Sequence, residues 1–190
     1  DPTAMPSRAD VEAMAANGEF VIWYDGNTHE LFVNGRVAID GDINILSGNG
    51  NSNKIIEYEG QGSLLAYDAD GDGDGGNVVM DASFLTTDFP LTNVVGLMSA
   101  GDFDIGNSSQ ISLMGGFYAQ GGISVNRQTN IIGSLVADFF DMGNNVPDIY
   151  WVPEIANAWT DDTRMIGMGV VTAPGGAGAD GIWFEVGVPL

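Results

Sequence analysis

Hydrophobic residues follow two different spacings along the chain, one near its start and another through most of the rest. Between residues 7 and 18, apolar side chains recur at helical spacing between a Pro-Ser start and an Asn-Gly stop: Val11, Met14 and Ala15. From Phe20 onward, short apolar runs end at Gly, Asn or Asp, which is typical of strands. The pattern therefore predicts one short helix followed by β-structure.

The first strands are predicted at residues 20–24, 31–33 and 37–46. The run at 31–33 ends at Asn34-Gly35, a dipeptide that favours two-residue hairpin turns because both residues tolerate positive φ. We therefore expect a hairpin turn at Asn34-Gly35.

Short motifs repeat through the middle of the chain. Thr-Asn-aliphatic-aliphatic-Gly occurs at 92–96 and 129–133, and Gly-x-x-x-Ala occurs at 62–66 and 115–119. Treating Gly62, Gly96, Gly115 and Gly133 as equivalent gives spacings of 34, 19 and 18 residues. A period near 18–20 with short strands in each unit predicts the stacked coils of a β-solenoid, with a Gly-rich β-sandwich as the alternative.

These patterns divide the chain into three parts. Residues 1–24 are predicted to form an N-terminal arm and helix, and residues 25–148 an all-β, right-handed parallel β-solenoid (β-helix) with an Asp-rich loop at 68–81. Residues 149–190, with apolar runs at 165–172 and 182–188, are predicted to form an irregular C-terminal β extension or cap.

The composition of the chain excludes several classes of function. The 190 residues include 26 Asp and Glu against 5 Lys and Arg, for a formal net charge of −21. Such a surface repels phosphate backbones and anionic lipids, so we expect no nucleic-acid partner and no membrane insertion. The absence of cysteine excludes disulfides and thiol chemistry. With few lysines and no initial Met, the chain is expected to be a processed protein at an extracellular or cell-surface location.

The Asp-rich loop carries the strongest chemical signal. Four carboxylates within seven residues alternate with small residues, an arrangement that suits Ca²⁺, which takes six to eight oxygen ligands. In the register of the helix-flanked calcium loop, a carbonyl supplies one ligand and an acid the last. The predicted ligands are Asp68, Asp70, Asp72, Asp74, the carbonyl of Gly76, and Asp81.

Other polar residues are weaker candidates. Asp40/Asp42 and Asp102/Asp104 are i, i+2 pairs, so each pair lies on one strand face at a spacing that overlaps that of inverting glycosidases, although a solvated face explains them better. His29, the only histidine, is predicted to be a surface turn residue. We predict no catalytic residues and no enzyme activity.

The segment from about residue 62 to 148 resembles the C-terminal β-helical region of bacterial PilX-like pilus-assembly proteins. The resemblance is carried by short apolar motifs at residues 94–100 with 102–105, at 115–119 and at 132–137. A looser similarity extends to polymerising bactofilin-like β-helices. The resemblance implies a β-helical fold and a role in surface fibres, and it brings no catalytic residues with it.

Together these features predict an extracellular structural protein that self-assembles into a calcium-stabilised filament or surface fibre. Contact with a second copy is expected through the solenoid ends or by strand addition. One alternative is a calcium-dependent protein that binds or cleaves acidic surface polysaccharide. Another is a minor pilus or adhesin subunit, which would need other proteins for assembly.

Overall fold

The computed structural model describes residues 6–46, 55–71, 73, 75–106, 110–143 and 146–155. Within these residues the chain forms one helix, α1 (Arg8–Ala16), and fourteen strands that belong to two sheets. All strand pairs but one are parallel. The prediction of an all-β fold with a short N-terminal helix is confirmed.

Helix α1 begins and ends where the sequence indicates. Ser7 is the N-cap, and its Oγ accepts a hydrogen bond from the backbone N–H of Asp10 (3.3 Å). The Asp10 carboxylate accepts in return from the backbone N–H of Ser7 (3.1 Å), which completes a capping box. Asn17 is the C-cap, and Gly18 follows it at φ 82°.

The first sheet contains nine strands. In chain order they are β1 (Val21–Asp25), β2 (Glu30–Asp40), β4 (Ile55–Glu59), β5 (Gln61–Tyr67), β7 (Ser83–Leu85), β8 (Val94–Ser99), β10 (Ser112–Ala119), β12 (Asn130–Val136) and β14 (Asp148–Trp151). The second sheet contains the five shorter strands β3 (Ile43–Ile45), β6 (Val78–Met80), β9 (Phe103–Ile105), β11 (Gly122–Val125) and β13 (Phe139–Asp141).

The chain moves back and forth between the two sheets and adds a new parallel strand at each visit. In the first sheet, the C-terminal half of β2 pairs with β5, then β8, β10, β12 and β14 follow in turn. In the second sheet the order β3-β6-β9-β11-β13 follows the chain directly. Equivalent segments of the chain therefore lie beside one another in register.

A hydrophobic core lies between the sheets. Leu97 and Phe117 from the first sheet are buried in one cluster with Phe103 and Ile123 from the second. The rings of Phe103 and Phe117 meet edge to face across the core, with centroids 5.8 Å apart. Stacking apolar positions from successive strands makes this core continuous along the molecule.

The repeat register differs by one residue from the one that the sequence suggests. Gly115 lies opposite Gly133, as expected, but Gly96 lies opposite Gly116 and Ser63 rather than opposite Gly62 and Gly115. Consequently the small residue at the end of β8 is Ser99 rather than Ala100, and Ser99 is paired with Ala66 on β5 and Ala119 on β10. Ser99 is buried and donates to the carbonyl of Gly76 (2.6 Å), so a hydroxyl fills the place of a methyl group.

The predicted hairpin turn at Asn34-Gly35 is wrong. Strand β2 runs through both residues, and the hairpin turn lies at residues 26–29, between β1 and β2. Asn34 is buried and its Nδ2 donates to the carbonyl of Glu19 (2.9 Å), while Gly35 has φ 77°. Positive φ bends the strand here without reversing it, so the first half of β2 pairs with β4 and the second with β5. His29 lies in the actual turn, as a surface turn residue should.

Candidate metal loop and the corner that carries it

The Asp-rich loop extends from a corner of the molecule where the chain passes from the first sheet to the second. Four of the five passages place a glycine at this corner, Gly41, Gly76, Gly101 and Gly121, and the fifth, between β12 and β13, has Asp138 there, whose N–H donates to the carbonyl of Gly121 (3.0 Å). The glycine backbones are joined by hydrogen bonds, from Gly76 N–H to Gly41 C=O (3.2 Å), Gly101 N–H to Gly76 C=O (2.9 Å) and Gly121 N–H to Gly101 C=O (2.9 Å). The corner therefore has the same path in successive turns of the chain.

A ladder of side chains reinforces this corner. Oδ1 of Asp42 accepts a hydrogen bond from the backbone N–H of Asn77 (2.9 Å), and Oδ1 of Asn77 accepts from that of Asp102 (3.0 Å). Oδ1 of Asp102 accepts in turn from the backbone N–H of Gly122 (2.8 Å). We call Asp42, Asn77 and Asp102 the corner ladder, because their side-chain oxygens accept hydrogen bonds from backbone N–H groups at the corner.

The corner ladder was not predicted, although its signal is present in the sequence. Gly followed by Asp or Asn and then an apolar residue occurs at 41–43, 76–78 and 101–103, each time just before a strand of the second sheet. The ladder gives Asp42 and Asp102 a structural role in the two i, i+2 pairs. In the pair Asp102/Asp104, burial of the Asp104 carboxyl raises its pKa, and the charge of Asp102 raises it further.

The Asp-rich loop is an insertion between β5 and the corner glycine Gly76. Asp68, just after β5, organises its start, because its Oδ1 accepts from the N–H of Gly71 (2.8 Å) and its Oδ2 from that of Gly73 (2.8 Å). Oδ1 of Asp40, in the preceding turn of the chain, accepts from the N–H of Ala69 (3.1 Å). The loop is thus held from within and from the neighbouring turn.

The hydrogen bonds from the backbone N–H groups of Gly73 and Gly71 lower the pKa of the Asp68 carboxyl. These bonds favour the ionised carboxylate, so they are retained above this pKa and weaken as the pH falls through it. At neutral pH the start of the loop carries a negative charge that its own backbone stabilises.

The predicted calcium ligands lie partly inside and partly outside the described part of the chain. Asp68 and Asp70 lie in the loop, and Asp72 and Asp74 lie outside the described residues. The carbonyl of Gly76 accepts from the Gly101 N–H and the Ser99 hydroxyl. Among the residues that the structure describes, no group of three or more acidic or histidine side chains is arranged to hold a metal ion.

Asp81 lies away from the loop. Strand β6 separates it from Asn77, and at ~3.3 Å per residue this places the two roughly 13 Å apart along the strand. Asp81 is buried, and its backbone N–H donates to the carbonyl of Ile45 (2.8 Å). In a twelve-residue calcium loop, a tight turn returns the last acid to the ion. Here the extended strand β6 lies in that stretch, so it separates Asp81 from the start of the loop.

The last strand of each sheet forms a second notable surface, which we call the open end. β13 and β14 each pair with one described strand, and their large apolar side chains are exposed: Phe139, Phe140, Ile149, Tyr150 and Trp151. The exposed fraction of Trp151 is 73%. Exposed apolar side chains beside unpaired strand edges are typical of a surface that contacts another chain.

Comparison with family models, with curated proteins and with solved structures finds no match to this chain. The similarity to PilX-like and bactofilin-like proteins therefore stays a prediction. Within the part of the chain that the structure describes, no helix has the length and apolar character needed to cross a membrane.

Proposed function

We propose that this protein is a right-handed parallel β-solenoid that serves as an extracellular, self-assembling structural subunit. In-register parallel pairing of successive strands supports the solenoid over the β-sandwich, because sandwiches are built mainly from antiparallel strands. Right-handedness follows the strong general preference of parallel crossover connections. The PilX-like resemblance is consistent with a role in a surface fibre.

The observation that carries the proposal is the open end. Within the described part of the chain, β13 and β14 each have one edge with no paired strand, together with exposed apolar side chains. A second copy that adds strands here buries both features at once, and a fibre grows when the added strands come from a different surface of that copy. Strand addition between copies is the other route to the same polymer.

Calcium is the proposed stabilising ion, bound by the loop residues Asp68, Asp70, Asp72 and Asp74. A net charge of −21 opposes contact between copies, and a bound divalent cation reduces this repulsion. The loop is suited to this role because Asp68 and Asp40 already fix its start. Asp81, on the far side of β6, is the least favourable of the predicted ligands.

Electron microscopy of the purified protein in excess Ca²⁺ and after chelation tests this function. We expect uniform filaments in Ca²⁺ that shorten or disassemble in chelator. Asp70→Asn should reduce filament yield, whereas Asp88→Asn, which changes an exposed acid outside the loop and the open end, should not. Compact single particles at high concentration in both conditions would refute self-assembly. Filaments that form only with an added partner protein would favour the minor pilus or adhesin subunit.

A second candidate function is binding of an acidic surface polysaccharide. The exposed rings of Tyr150 and Trp151 favour it, because aromatic faces stack well on sugar rings. Titration of Trp fluorescence with pectin- or alginate-type polymers in Ca²⁺ distinguishes the two functions. A saturable change that Trp151→Ser abolishes supports the binding function, and product formation from the polymer would indicate a lyase.

A further inference from the structure

The first sheet is longer than the second, and the difference lies at its two ends. One row of the first sheet contains seven strands in the order β1-β2-β4-β7-β10-β12-β14, whereas the second sheet contains five, from β3 to β13. Each of the five inner strands of the row is followed along the chain by one strand of the second sheet. Among the described residues, the strands without such a counterpart are therefore β1 and β14, and each of them pairs with a single neighbour. We call β1 and β14 the overhanging strands.

The inner face of β1 continues the lining of the core. Ile22 lies opposite Val33 and Tyr24 lies opposite Leu31, and residues directly opposite in an antiparallel pair share one face of the sheet. Val33 and Leu31 are buried in the core between the sheets. Ile22 and Tyr24 are nevertheless exposed, because α1 packs on the other face of β1 and no described strand of the second sheet lies opposite this one.

β14 presents the same kind of surface at the other end of the row. Ile149 is paired with Ile131, which is buried in the core, and Trp151 lies two residues further along the same face. The exposed fractions of Ile149 and Trp151 are 44% and 73%, and that of Phe20, just before β1, is 61%. Each overhanging strand therefore combines an edge without a partner in the described chain with an exposed apolar inner face.

A second copy displaced along the strand stack supplies the neighbour that each overhanging strand lacks. The strands of the row are parallel except for β1, which is antiparallel to β2. In a copy that is moved along the stack without being turned over, β1 lies antiparallel to β14 of the first copy, and the inner faces of both strands lie on the same side. A twofold partner would instead pair β14 with β14 and leave β1 of both copies exposed.

Charge favours one register for this contact. A register that pairs Asp148 of one copy with Asp25 of the next places like charges directly opposite each other, which is destabilising. A shift of two residues separates these acids and keeps the two inner faces together, because side chains alternate along a strand. In the shifted register Ile149 lies opposite Ile22, so two apolar side chains cover each other.

We propose that β1 is the surface that receives β14 of a neighbouring copy, so that copies join head to tail by antiparallel strand addition. In the favoured register Trp151 lies opposite Phe20 of the next copy. Because the same displacement relates every copy to the next, the contact joins two different surfaces and the chain of copies stays open. Seven strands at ~4.8 Å give a repeat of roughly 34 Å along the fibre. The inference rests on the proposed function, for which it names the second contact surface.

Two variants of the full-length protein, each blocked at one end, test the proposal. Phe20→Asp places a charge at the β1 end and leaves β14 intact, whereas Trp151→Asp does the reverse. Leu91→Asp, which replaces an exposed apolar side chain in the connection between β7 and β8, is the matched control. Circular dichroism and thermal unfolding check that each variant is folded. Sedimentation velocity measures the association of each variant alone and of the equimolar mixture of the two blocked variants.

We expect each blocked variant alone to associate at least ~10-fold more weakly than the natural chain, and Leu91→Asp to associate normally. The equimolar mixture should contain a 1:1 dimer, because the intact β14 of the Phe20→Asp protein can pair with the intact β1 of the Trp151→Asp protein. A dimer of Phe20→Asp alone would show that β14 pairs with β14 and would overturn the proposal. A mixture without dimers, under conditions in which the natural chain assembles, overturns it too. If the natural chain does not assemble, self-assembly itself is refuted.

Disulfide trapping locates the contact and leaves the exposed rings in place, because the natural chain has no cysteine. Ile22→Cys and Ile149→Cys are made in separate proteins, mixed and oxidised under assembly conditions. Directly opposite residues have Cα atoms ~4.5–5.5 Å apart, which suits a disulfide. We expect linkage between positions 22 and 149 of different chains, and at least ~10-fold less when Tyr24→Cys replaces Ile22→Cys. Preferential linkage of 149 to 149, or no linkage to 149 in assembled protein, overturns head-to-tail contact, and preferential linkage of 149 to 24 overturns the register.

Discussion

The two ends of the strand stack are built differently. At the N-terminal end, β1 pairs antiparallel with the first half of β2, and α1 packs on β1. At the open end, β13 and β14 have no such cover among the described residues and expose their aromatic side chains. Strand edges favour pairing with other chains. The edge of β2 at the N-terminal end is therefore protected, whereas the open end has no covering element among the described residues, and under the proposed function contact between copies begins there.

The covered end is held by a compact apolar cluster and one cation. Val11 from α1, Trp23 from β1 and Phe32 from β2 are buried together. The guanidinium of Arg8 lies 4.3 Å from the centroid of the Phe32 ring, and it forms ion pairs with Glu12 (2.8 Å) and with Glu59 on β4. The helix is therefore attached to the sheet by packing, cation–π contact and charge at the same point.

Removing the centre of this cluster should have the largest effect. Trp23→Ala deletes a buried indole and the hydrogen bond from its Nε1 to the carbonyl of Pro6 (3.0 Å). We expect the free energy of unfolding to fall by about 3–5 kcal/mol, measured by urea denaturation. Ile22→Ala, on the exposed face of the same strand, is the control and should change it by less than ~1 kcal/mol. Equal effects of the two variants would show that β1 does not seal this end.

Loss of the helix cap should have a smaller effect. Ser7→Ala removes the hydroxyl that accepts from the Asp10 N–H and donates to the Asp10 carboxylate (2.6 Å). We expect a loss of about 1 kcal/mol by the same urea measurement. Ser7→Asn, which keeps a capping oxygen, should recover most of it. If Ser7→Ala has no effect, α1 contributes little to the covered end.

Acid should loosen helix α1 at the covered end. The hydrogen bonds from the Ser7 side chain and then the Ser7 backbone N–H lower the pKa of the Asp10 carboxyl. A lowered pKa means that the stabilisation is present above the pKa of the unfolded chain and is lost as the pH falls through that of the folded chain. We expect amide exchange in 8–16, corrected for its intrinsic pH dependence, to accelerate in that acidic range. In Asp10→Asn this change should be absent, and its persistence would assign the titration to another group.

The covered end is also the part of the molecule whose structure the sequence predicts best. Helix α1 is specified locally, by Ser7 at its start, Val11 and Met14 on one face and Asn17-Gly18 at its end, so spacing alone located it. The hairpin turn was missed because Asn34-Gly35 has the chemistry of a turn, while a contact distant in sequence, to Glu19, keeps β2 extended. At such positions, contacts between residues distant in sequence outweigh the local preference for a turn.

The repeats and the loop show the same limit. Motif matching aligned Gly96 with Gly115, but backbone pairing sets the register, and Ser99 substitutes for alanine by bonding through its hydroxyl. The sequence pattern identifies the acids of the Asp-rich loop, but it does not indicate that β6 carries Asp81 away from them. Spacing along the chain predicts proximity only where the path between two residues is a turn.

The open end supplies the smallest expected change in stability and the clearest test of the asymmetry. Trp151→Ser removes a side chain that is 73% exposed, so the free energy of unfolding should change by no more than ~0.5 kcal/mol. Sedimentation velocity over a range of concentrations should nevertheless show loss of self-association, because the ring would be buried only against a second copy. Leu91→Ser, which removes an exposed apolar side chain elsewhere, should leave association intact. If Trp151→Ser destabilises the fold without affecting association, the end belongs to the interior of the subunit, and the contrast between the two ends disappears.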